Sequence, residues 1–250
     1  EVLELTADVD GVVIQQRDPL GKEVYPTLKA NGLKQIATRT AGYDMVDLAA
    51  AKQNGLKVTN VPAYSPRSVA EHALMQIFRL LRKTPEVDRR VAENDYRWPG
   101  LQAKEIHSVT VGIIGVGRIG GTLATLLHAL NARVLGYDLK PREEMEGIVE
   151  YVSKEELLRQ SDVVSLHVDL NPTSEGLLTK AEFDQMKPGA SLVNASRGPV
   201  VNTADLINAL KDGPLAFAAL DTVEGEGPIF NADHRQDGLK GEPLVEELHA

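Results

Sequence analysis

The stretch VTVGIIGVGRIGGTLATLL, residues 109–127, constrains the fold of this chain more than any other. Its first half is apolar and β-branched, which predicts a buried strand, and its second half returns to an apolar pattern typical of a helix. Between the two halves, Gly115, Gly117 and Gly120 form the pattern GxGxxG. The first glycine permits a tight turn, the second leaves the backbone open to a ligand, and the third allows the helix to pack closely on the strand. The stretch therefore predicts a strand–turn–helix unit whose helix N-terminus can bind a phosphate group.

The rest of the chain alternates short apolar strands with helices, as α/β proteins do. Beyond residue 108, the predicted strands are VTVGIIG, ARVLGYD, DVVSLHV, ASLVNAS and LAFAALD. Because strands that are apolar at consecutive positions are buried on both faces, we predict a doubly wound parallel sheet of the Rossmann type. Before residue 62, the strands DGVVIQQ, LKQIATRT and LKVTNVP alternate with helical stretches that end in Asn-Gly, and they predict a second, smaller α/β domain.

The prolines of VPAYSP interrupt this alternation and predict a domain boundary, with a first domain of residues 1–63 and a second of residues 64–250. One continuous helix is predicted from Ser68 toward Arg90, since apolar residues recur there at helical spacing. The polar, glycine-rich segment EGEGPIFNADHRQDGLKGEP, which begins at Glu224, predicts a loop. A helix-like run ending in EELHA follows it.

The composition argues against several classes of function. The chain has 27 Lys and Arg against 36 Asp and Glu, whereas nucleic-acid binding needs clustered positive charge. Without cysteine it has no disulfide or thiolate metal site, and no apolar run approaches the roughly 20 residues of a membrane span. We expect a cytoplasmic protein without nucleic-acid, membrane or metal partners. The first residues show neither an initiator Met nor a signal peptide, and we expect both ends to be cut from a longer protein.

An acidic residue follows the glycine turn at an informative distance. The strand ARVLGYD ends at Asp138, close to the roughly 20 residues after the turn at which an acid accepts hydrogen bonds from an adenosine ribose. Such a carboxylate also repels the 2′-phosphate of NADP. Gly115–Gly120 and Asp138 together predict an NAD site, although the nearby Lys140 and Arg142 leave NADP open.

Ligands of open α/β sheets bind beyond the carboxyl ends of the strands. Arg197 follows the strand SLVNAS, where two parallel hydrogen bonds could hold a carboxylate, with a surface salt bridge as the alternative. The turn at Ala41 and Gly42 follows QIATRT and could bind an anion through its amides, or be a plain turn. The other residues just beyond strands are Val168, Asp169, Asp221, Glu224 and Glu226.

Six stretches together resemble the D-2-hydroxyacid dehydrogenase family, most closely its bacterial D-lactate dehydrogenases. They are TRTAGYDMVDLAAAK, NVPAYSPRSVAEHA, VGIIGVGRIGG, SDVVSLHV, MKPGASLVNASRGPVVNTADLINALKDG and AALDTVEGEG. The resemblance implies NAD-dependent reduction of pyruvate, or a similar 2-keto acid, to the D-2-hydroxy acid. It also implies a homodimer whose subunits combine an NAD-binding domain with a flavodoxin-like substrate domain, here incomplete, and bind substrate between the two.

The resemblance implies roles for individual residues. Arg197 binds the substrate carboxylate and carbonyl, Ala41 and Gly42 complete the carboxylate site through their backbone, Tyr64 lines the substrate pocket, and Glu226 pairs with a catalytic histidine. The family has proline and asparagine at the positions of Asp169 and Ser174, which are included among the predicted cofactor contacts. Those contacts are Gly115, Gly117, Arg118, Ile119, Gly120, Asp138, Val168, Asp169, Ser174, Ala195, Ser196 and Asp221.

The proton donor is the main departure from the family. The family's catalytic histidine lies in a Pro-His motif beyond the helix that here ends in EELHA, and none of the six histidines occupies that position. The histidines are His72, His107, His128, His167, His234 and His249. We expect the donor to lie beyond Ala250. The alternatives are a D-2-hydroxyisocaproate-type dehydrogenase for bulkier 2-keto acids, an NAD-sensing corepressor-like binding protein and a pseudoenzyme.

Overall fold

The computed structural model describes residues 2–15, 19–227, 229–230, 232–236, 238 and 243–249. The chain divides into two compact units, Glu1–Tyr64 and Ser65–Ala250. In the described part of the chain, no helix has both the length and the apolar character needed to cross a bilayer.

The first unit contains a parallel sheet with the strand order β1-β2-β3. Its strands are β1 (Gly11–Ile14), β2 (Gln35–Thr38) and β3 (Lys57–Thr59), and its helices are α1 (Val2–Leu5), α2 (Val24–Ala30) and α3 (Leu48–Gln53). Tyr25, Leu28 and Ile36 are fully buried in its core. The Asn-Gly pairs do end α2 and α3, where Gly32 and Gly55 adopt φ values of 91° and 66°.

The second unit contains a six-stranded parallel sheet with the strand order β6-β5-β4-β7-β8-β9. The order reverses between β4 and β7, as in Rossmann folds, so the prediction of a doubly wound sheet is confirmed. The strands are β4 (Thr110–Ile114), β5 (Arg133–Tyr137), β6 (Glu150–Tyr151), β7 (Val163–Leu166), β8 (Ala190–Asn194) and β9 (Leu215–Leu220). The helices are α4 (Pro66–Arg82), α5 (Thr84–Ala92), α6 (Arg118–Ala129), α7 (Lys154–Gln160), α8 (Lys180–Phe183), α9 (Thr203–Lys211) and α10 (Pro243–His249).

The central strands are buried because helices cover both faces of this sheet. From β4, Val111 and Ile113 pack into a cluster with apolar residues of α4 and α6. Ile114 belongs to a second cluster with residues of α7, α8 and α9. Gly112 lets α7 approach closely, since a Cβ there would lie 2.5 Å from Leu157 Cδ2. Full burial of each such aliphatic side chain stabilises the fold by about 1.5–3 kcal/mol.

The structure differs from the predicted elements at two places. The helix predicted from Ser68 toward Arg90 is two helices, because Lys83 adopts the left-handed φ of 53° between α4 and α5. Pro85 lies in the first turn of α5. In one continuous helix it would have no N–H to donate to the carbonyl of Leu81, and its ring would clash with that carbonyl. The strand β6 was not predicted, since two residues are too short to show a periodicity. Of the loop predicted from Glu224 on, residues 228, 231, 237 and 239–242 lie outside the described residues.

Candidate active site

The glycine turn connects β4 to α6, and each glycine in it meets a different surrounding. Gly115 has a φ of 91°, and a Cβ there would lie 2.8 Å from the carbonyl of His167. At Gly117 a Cβ would meet no atom within 4 Å, so the backbone lies open. At Gly120 a Cβ would lie 2.0 Å from the Gly115 carbonyl oxygen. The first and third glycines are thus required for packing, whereas the second leaves space for a ligand.

The helix α6 begins at this turn and supplies its anion-binding groups. The first N–H groups of a helix have no acceptor within the helix, and the helix dipole adds a partial positive charge there. Gly117 is the N-cap residue of α6 and has no side chain with which to cap those groups. A pyrophosphate placed at the open backbone of Gly117 would therefore meet hydrogen-bond donors.

Asp138 lies directly after β5 and contacts the glycine turn. Its Oδ2 accepts a hydrogen bond from the backbone N–H of Val116 at 2.8 Å, and its Oδ1 accepts one from Lys140 N–H at 2.9 Å. Two carboxylate oxygens offer about four acceptor sites, so both can still accept a hydroxyl hydrogen. The position of Asp138 fits the predicted ribose contact.

The turn after β8 is organised by a buried side chain that the sequence reasoning missed. Asn194 is 1% exposed, and its Oδ1 accepts hydrogen bonds from the Ser196 N–H at 3.1 Å and the Ser196 hydroxyl at 2.7 Å. Its Nδ2 donates to the carbonyl of Arg197 at 3.1 Å. The one sequence signal that could have identified Asn194 is the presence of an asparagine at the end of an apolar strand. The half-buried Arg197 also donates from its guanidinium to the Ser196 carbonyl at 2.9 Å.

The segment after β9 packs against this turn at Gly198. A Cβ on Gly198 would lie 2.2 Å from the carbonyl carbon of Val223, so only glycine allows the contact. The Glu226 Oε2 accepts a hydrogen bond from the Val223 N–H at 2.7 Å, which closes the turn that carries it. Asp221 lies 3.5 Å from Nε2 of His72 on α4. The structure thereby brings Arg197, Glu226 and Asp221 to the same region of the sheet's carboxyl edge.

The loop after β7 contains two of the predicted cofactor contacts in contrasting surroundings. Asp169 is exposed, while Ser174 is 4% exposed. The Ser174 hydroxyl donates to the Asp169 carbonyl at 2.5 Å and accepts from the Asn171 N–H at 2.9 Å. Ser174 therefore uses its only hydroxyl hydrogen to close the loop. Cofactor contacts stay predictions at Ser174, Val168, Ala195 and Ser196.

His167 is unsuited to donating a proton at neutral pH. Burial lowers the pKa of its imidazole to about 4, because the charged form is poorly solvated there. Its Nε2 lies 2.8 Å from the hydroxyl of Ser165. Of the other histidines, His234 contacts the Ile229 carbonyl at 2.9 Å, and the side chain of His249 lies outside the described residues.

In the first unit, the turn after β2 is fixed through its carbonyl groups. The Ala41 carbonyl accepts a hydrogen bond from the Asn60 side chain at 2.7 Å, and the Gly42 carbonyl accepts one from the Thr40 hydroxyl at 2.7 Å. Tyr64 is 67% exposed. Substrate contacts at Ala41, Gly42 and Tyr64 stay predictions. In neither unit do the described residues include a cluster of His, Asp and Glu that could hold a metal ion.

Comparisons with known proteins identify the family of the chain. The sequence profile described as "D-isomer specific 2-hydroxyacid dehydrogenase, NAD binding domain" matches residues 74–246. The D-lactate dehydrogenase of Staphylococcus aureus is 41% identical over 240 residues, which cover 96% of this chain and 73% of that protein. The structure of a D-lactate dehydrogenase from Sporolactobacillus sp. is 53% identical with a TM-score of 0.80, and the match covers 100% of this chain and 75% of that one. The D-lactate dehydrogenase of Aquifex aeolicus, solved with NAD and lactic acid, is 32% identical with a TM-score of 0.91 over 99% of this chain and 75% of that one.

Proposed function

Because the chain belongs to the family of D-isomer specific 2-hydroxyacid dehydrogenases, we propose that it interconverts pyruvate and D-lactate with NAD as the cofactor. The relatives named for D-lactate support this substrate, and pyruvate is the 2-keto acid that corresponds to lactate. The observation that carries the proposal is one edge of a Rossmann sheet that holds both an open glycine turn after β4 and an arginine after β8.

The residues of the first turn of α6 fit the cofactor. The open backbone at Gly117 admits the pyrophosphate, and the backbone at Arg118 and Ile119 lies next to it at the start of the helix. Asp138 would accept hydrogen bonds from the adenosine ribose and disfavour a 2′-phosphate. The chemistry that bound NAD would supply here is the exchange of a hydride at C2 of the acid. We also propose that Asp221 lies near the carboxamide group of the nicotinamide.

Arg197 supplies the positive charge that the reaction requires. Its planar guanidinium can hold a carboxylate through two parallel hydrogen bonds, which orients the 2-keto acid. Reduction of the carbonyl also leaves charge on its oxygen, and a cation beside that oxygen stabilises the transition state. The Asn194 hydrogen bonds fix the backbone from which Arg197 extends, so little reorganisation is needed when substrate binds.

Glu226 would act on the proton donor. A carboxylate close to an imidazole favours its charged form and so raises the pKa of the histidine. The donor itself is the catalytic histidine that the family resemblance implies. On the basis of the resemblance, we further propose a homodimer. The prolines of VPAYSP support a boundary between a substrate domain of residues 1–63 and an NAD-binding domain of residues 64–250, and the composition supports a cytoplasmic location.

The reaction is tested by following NADH oxidation by the full-length protein with pyruvate and, separately, with 2-ketoisocaproate. We expect faster turnover of pyruvate and a product that is D-lactate by chiral chromatography. Faster reduction of the branched acid would replace this assignment with a D-2-hydroxyisocaproate-type enzyme. Tight NADH binding without turnover of either acid would favour the corepressor-like protein or the pseudoenzyme.

A further inference from the structure

In the segment between β5 and β6, Arg142 contacts the glycine turn and pairs with Glu144, and we call this pair the Arg142–Glu144 latch. The Arg142 Nη1 donates to the Gly117 carbonyl at 2.8 Å and makes a longer contact of 3.5 Å with the Val116 carbonyl. Its Nε and Nη2 donate to Glu144 Oε1 at 3.0 and 2.6 Å. The guanidinium is therefore shared between the turn and the glutamate.

The latch itself is anchored to the edge of the sheet. The backbone N–H of Arg142 donates to the Tyr151 hydroxyl at 3.2 Å, and Tyr151 lies in β6. The Arg142 side chain is 34% exposed and that of Glu144 is 60% exposed, so the ion pair alone contributes little to stability. The pKa of Glu144 is lowered by a hydrogen bond from its own backbone and by Arg142. The contact with Gly117 is the less exposed part of the arrangement.

The carbonyl of Gly117 occupies a key position in the turn. It accepts hydrogen bonds from Arg142 and from the Gly121 N–H of α6, each at 2.8 Å. Its peptide plane also contains the N–H of residue 118, so the orientation of the carbonyl fixes the orientation of that N–H. Two donors on the carbonyl oxygen polarise the peptide, and hydrogen bonds in such chains strengthen one another.

The contact from Arg142 matters because the residue that it restrains is a glycine. Gly117 must lack a side chain so that the pyrophosphate can reach the backbone, but a glycine without other restraint samples many conformations. Ordering that backbone only on binding would weaken the affinity, whereas a turn that is already held binds more tightly. Asp138 restrains the Val116 N–H. Arg142 restrains the peptide between Gly117 and Arg118 through the Gly117 carbonyl.

We propose that Arg142 is a positioning residue for the cofactor, which holds the peptide between Gly117 and Arg118 in the orientation that binds the pyrophosphate. This inference rests on the proposed function, because it deepens the account of the same NAD site. The guanidinium is also engaged by Glu144 and the turn. Arg142 therefore acts through the backbone of the turn instead of binding a 2′-phosphate.

The test compares the affinities of Arg142→Ala and a matched control, Arg133→Ala, for three ligands. Arg133 lies at the start of β5 and pairs with Glu150 and Gln160, without a hydrogen bond to the turn. NADH binding is followed by fluorescence, and inhibition constants against NADH are measured for ADP-ribose, which contains the pyrophosphate, and for adenosine, which does not. For Arg142→Ala we expect the dissociation constant of NADH to rise about tenfold, as for loss of a hydrogen bond from a charged donor. ADP-ribose should weaken equally, with adenosine and the turnover at saturating NADH unchanged.

Several results would overturn the proposal. An equal loss of affinity for adenosine would place Arg142 at the adenosine site, and an equal effect of Arg133→Ala would indicate a general loss of stability. Unchanged NADH affinity would show that Arg142 does not position the turn.

Arg142→Lys, which keeps one donor within reach of Gly117, should recover part of the affinity. If the wild-type protein binds NADH but turns over no 2-keto acid, the reaction assignment fails while the latch can still be tested by binding.

Discussion

The turns after β4 and β8 lie at the same edge of one sheet, yet they present different binding groups in different ways. The turn after β4 presents backbone, because three glycines remove the side chains from it. The turn after β8 presents a guanidinium, and a buried asparagine holds its backbone in place. One turn suits a ligand with phosphate groups, and the other suits a small carboxylate.

The difference shows two ways of building a rigid site from loops. The shape of the first turn depends on glycines, which lack side chains, so the GxGxxG pattern alone reveals the turn in the sequence. In the second turn it is decided by Asn194 and by the contact of Gly198 with Val223, which is distant along the chain. Substitutions in the first turn should therefore distinguish glycines required for packing from glycines required for ligand binding. Substitutions in the second turn should distinguish the effect of side-chain geometry from the effect of charge.

The largest expected effect separates two glycines of the first turn. Gly120→Ala places a Cβ 2.0 Å from the Gly115 carbonyl oxygen, so we expect the free energy of unfolding to fall by at least about 4 kcal/mol. Gly117→Ala meets no atom, and it should change stability by less than about 1 kcal/mol while weakening NADH binding at least tenfold. Urea denaturation and NADH titration measure both. Equal losses of stability would contradict the distinct roles of the two glycines.

The second prediction concerns the charge in the turn after β8. Arg197→Lys keeps the charge but loses the two parallel hydrogen bonds, so kcat/KM for pyruvate should fall roughly 100- to 1000-fold. The affinity for NADH should stay close to that of the wild type. Steady-state kinetics and NADH titration test this, with Arg159→Lys on the exposed side of α7 as the control. A rate equal to the wild type would exclude the carboxylate role.

The third prediction uses His167, whose backbone packs against Gly115. Its pKa is about 4 in the folded protein and ordinarily about 6.5, so the unfolded state binds more protons between these values. Stability should therefore be highest above pH 6.5 and fall by up to about 3 kcal/mol as the pH drops to 4. His167→Gln should flatten this pH dependence in denaturation curves. The same substitution at the exposed His128 serves as the control.

The smallest expected effect concerns Glu226 and the pH profile of activity. Glu226→Gln removes the negative charge proposed to act on the catalytic histidine, so the pKa of that histidine should fall. The pH optimum of pyruvate reduction by the full-length protein should therefore move lower. Profiles of kcat/KM against pH provide the measurement. An unchanged optimum would mean that Glu226 only closes its own turn through the Val223 N–H.

Much of the second unit could be predicted because its signals are local. Continuous apolar runs indicated the central strands, and the spacing of Gly115, Gly117 and Gly120 indicated both the turn and its ligand. The restraints on the site could not be predicted in the same way. The contacts of Asn194 and Arg142 depend on side-chain conformations and on elements distant along the chain. The break at Lys83 shows that a helical pattern of apolar residues can continue past a residue at which the helical backbone is interrupted.

The two-residue strand β6 forms one edge of the six-stranded sheet. An exposed sheet edge offers unpaired backbone groups to other chains, and long apolar edges promote aggregation. Here the edge is short, and Glu150 within it forms an ion pair with Arg133 at 2.9 Å. Short edge strands with charged side chains resist pairing with a foreign strand, so the strand that anchors the Arg142–Glu144 latch also protects this edge of the sheet.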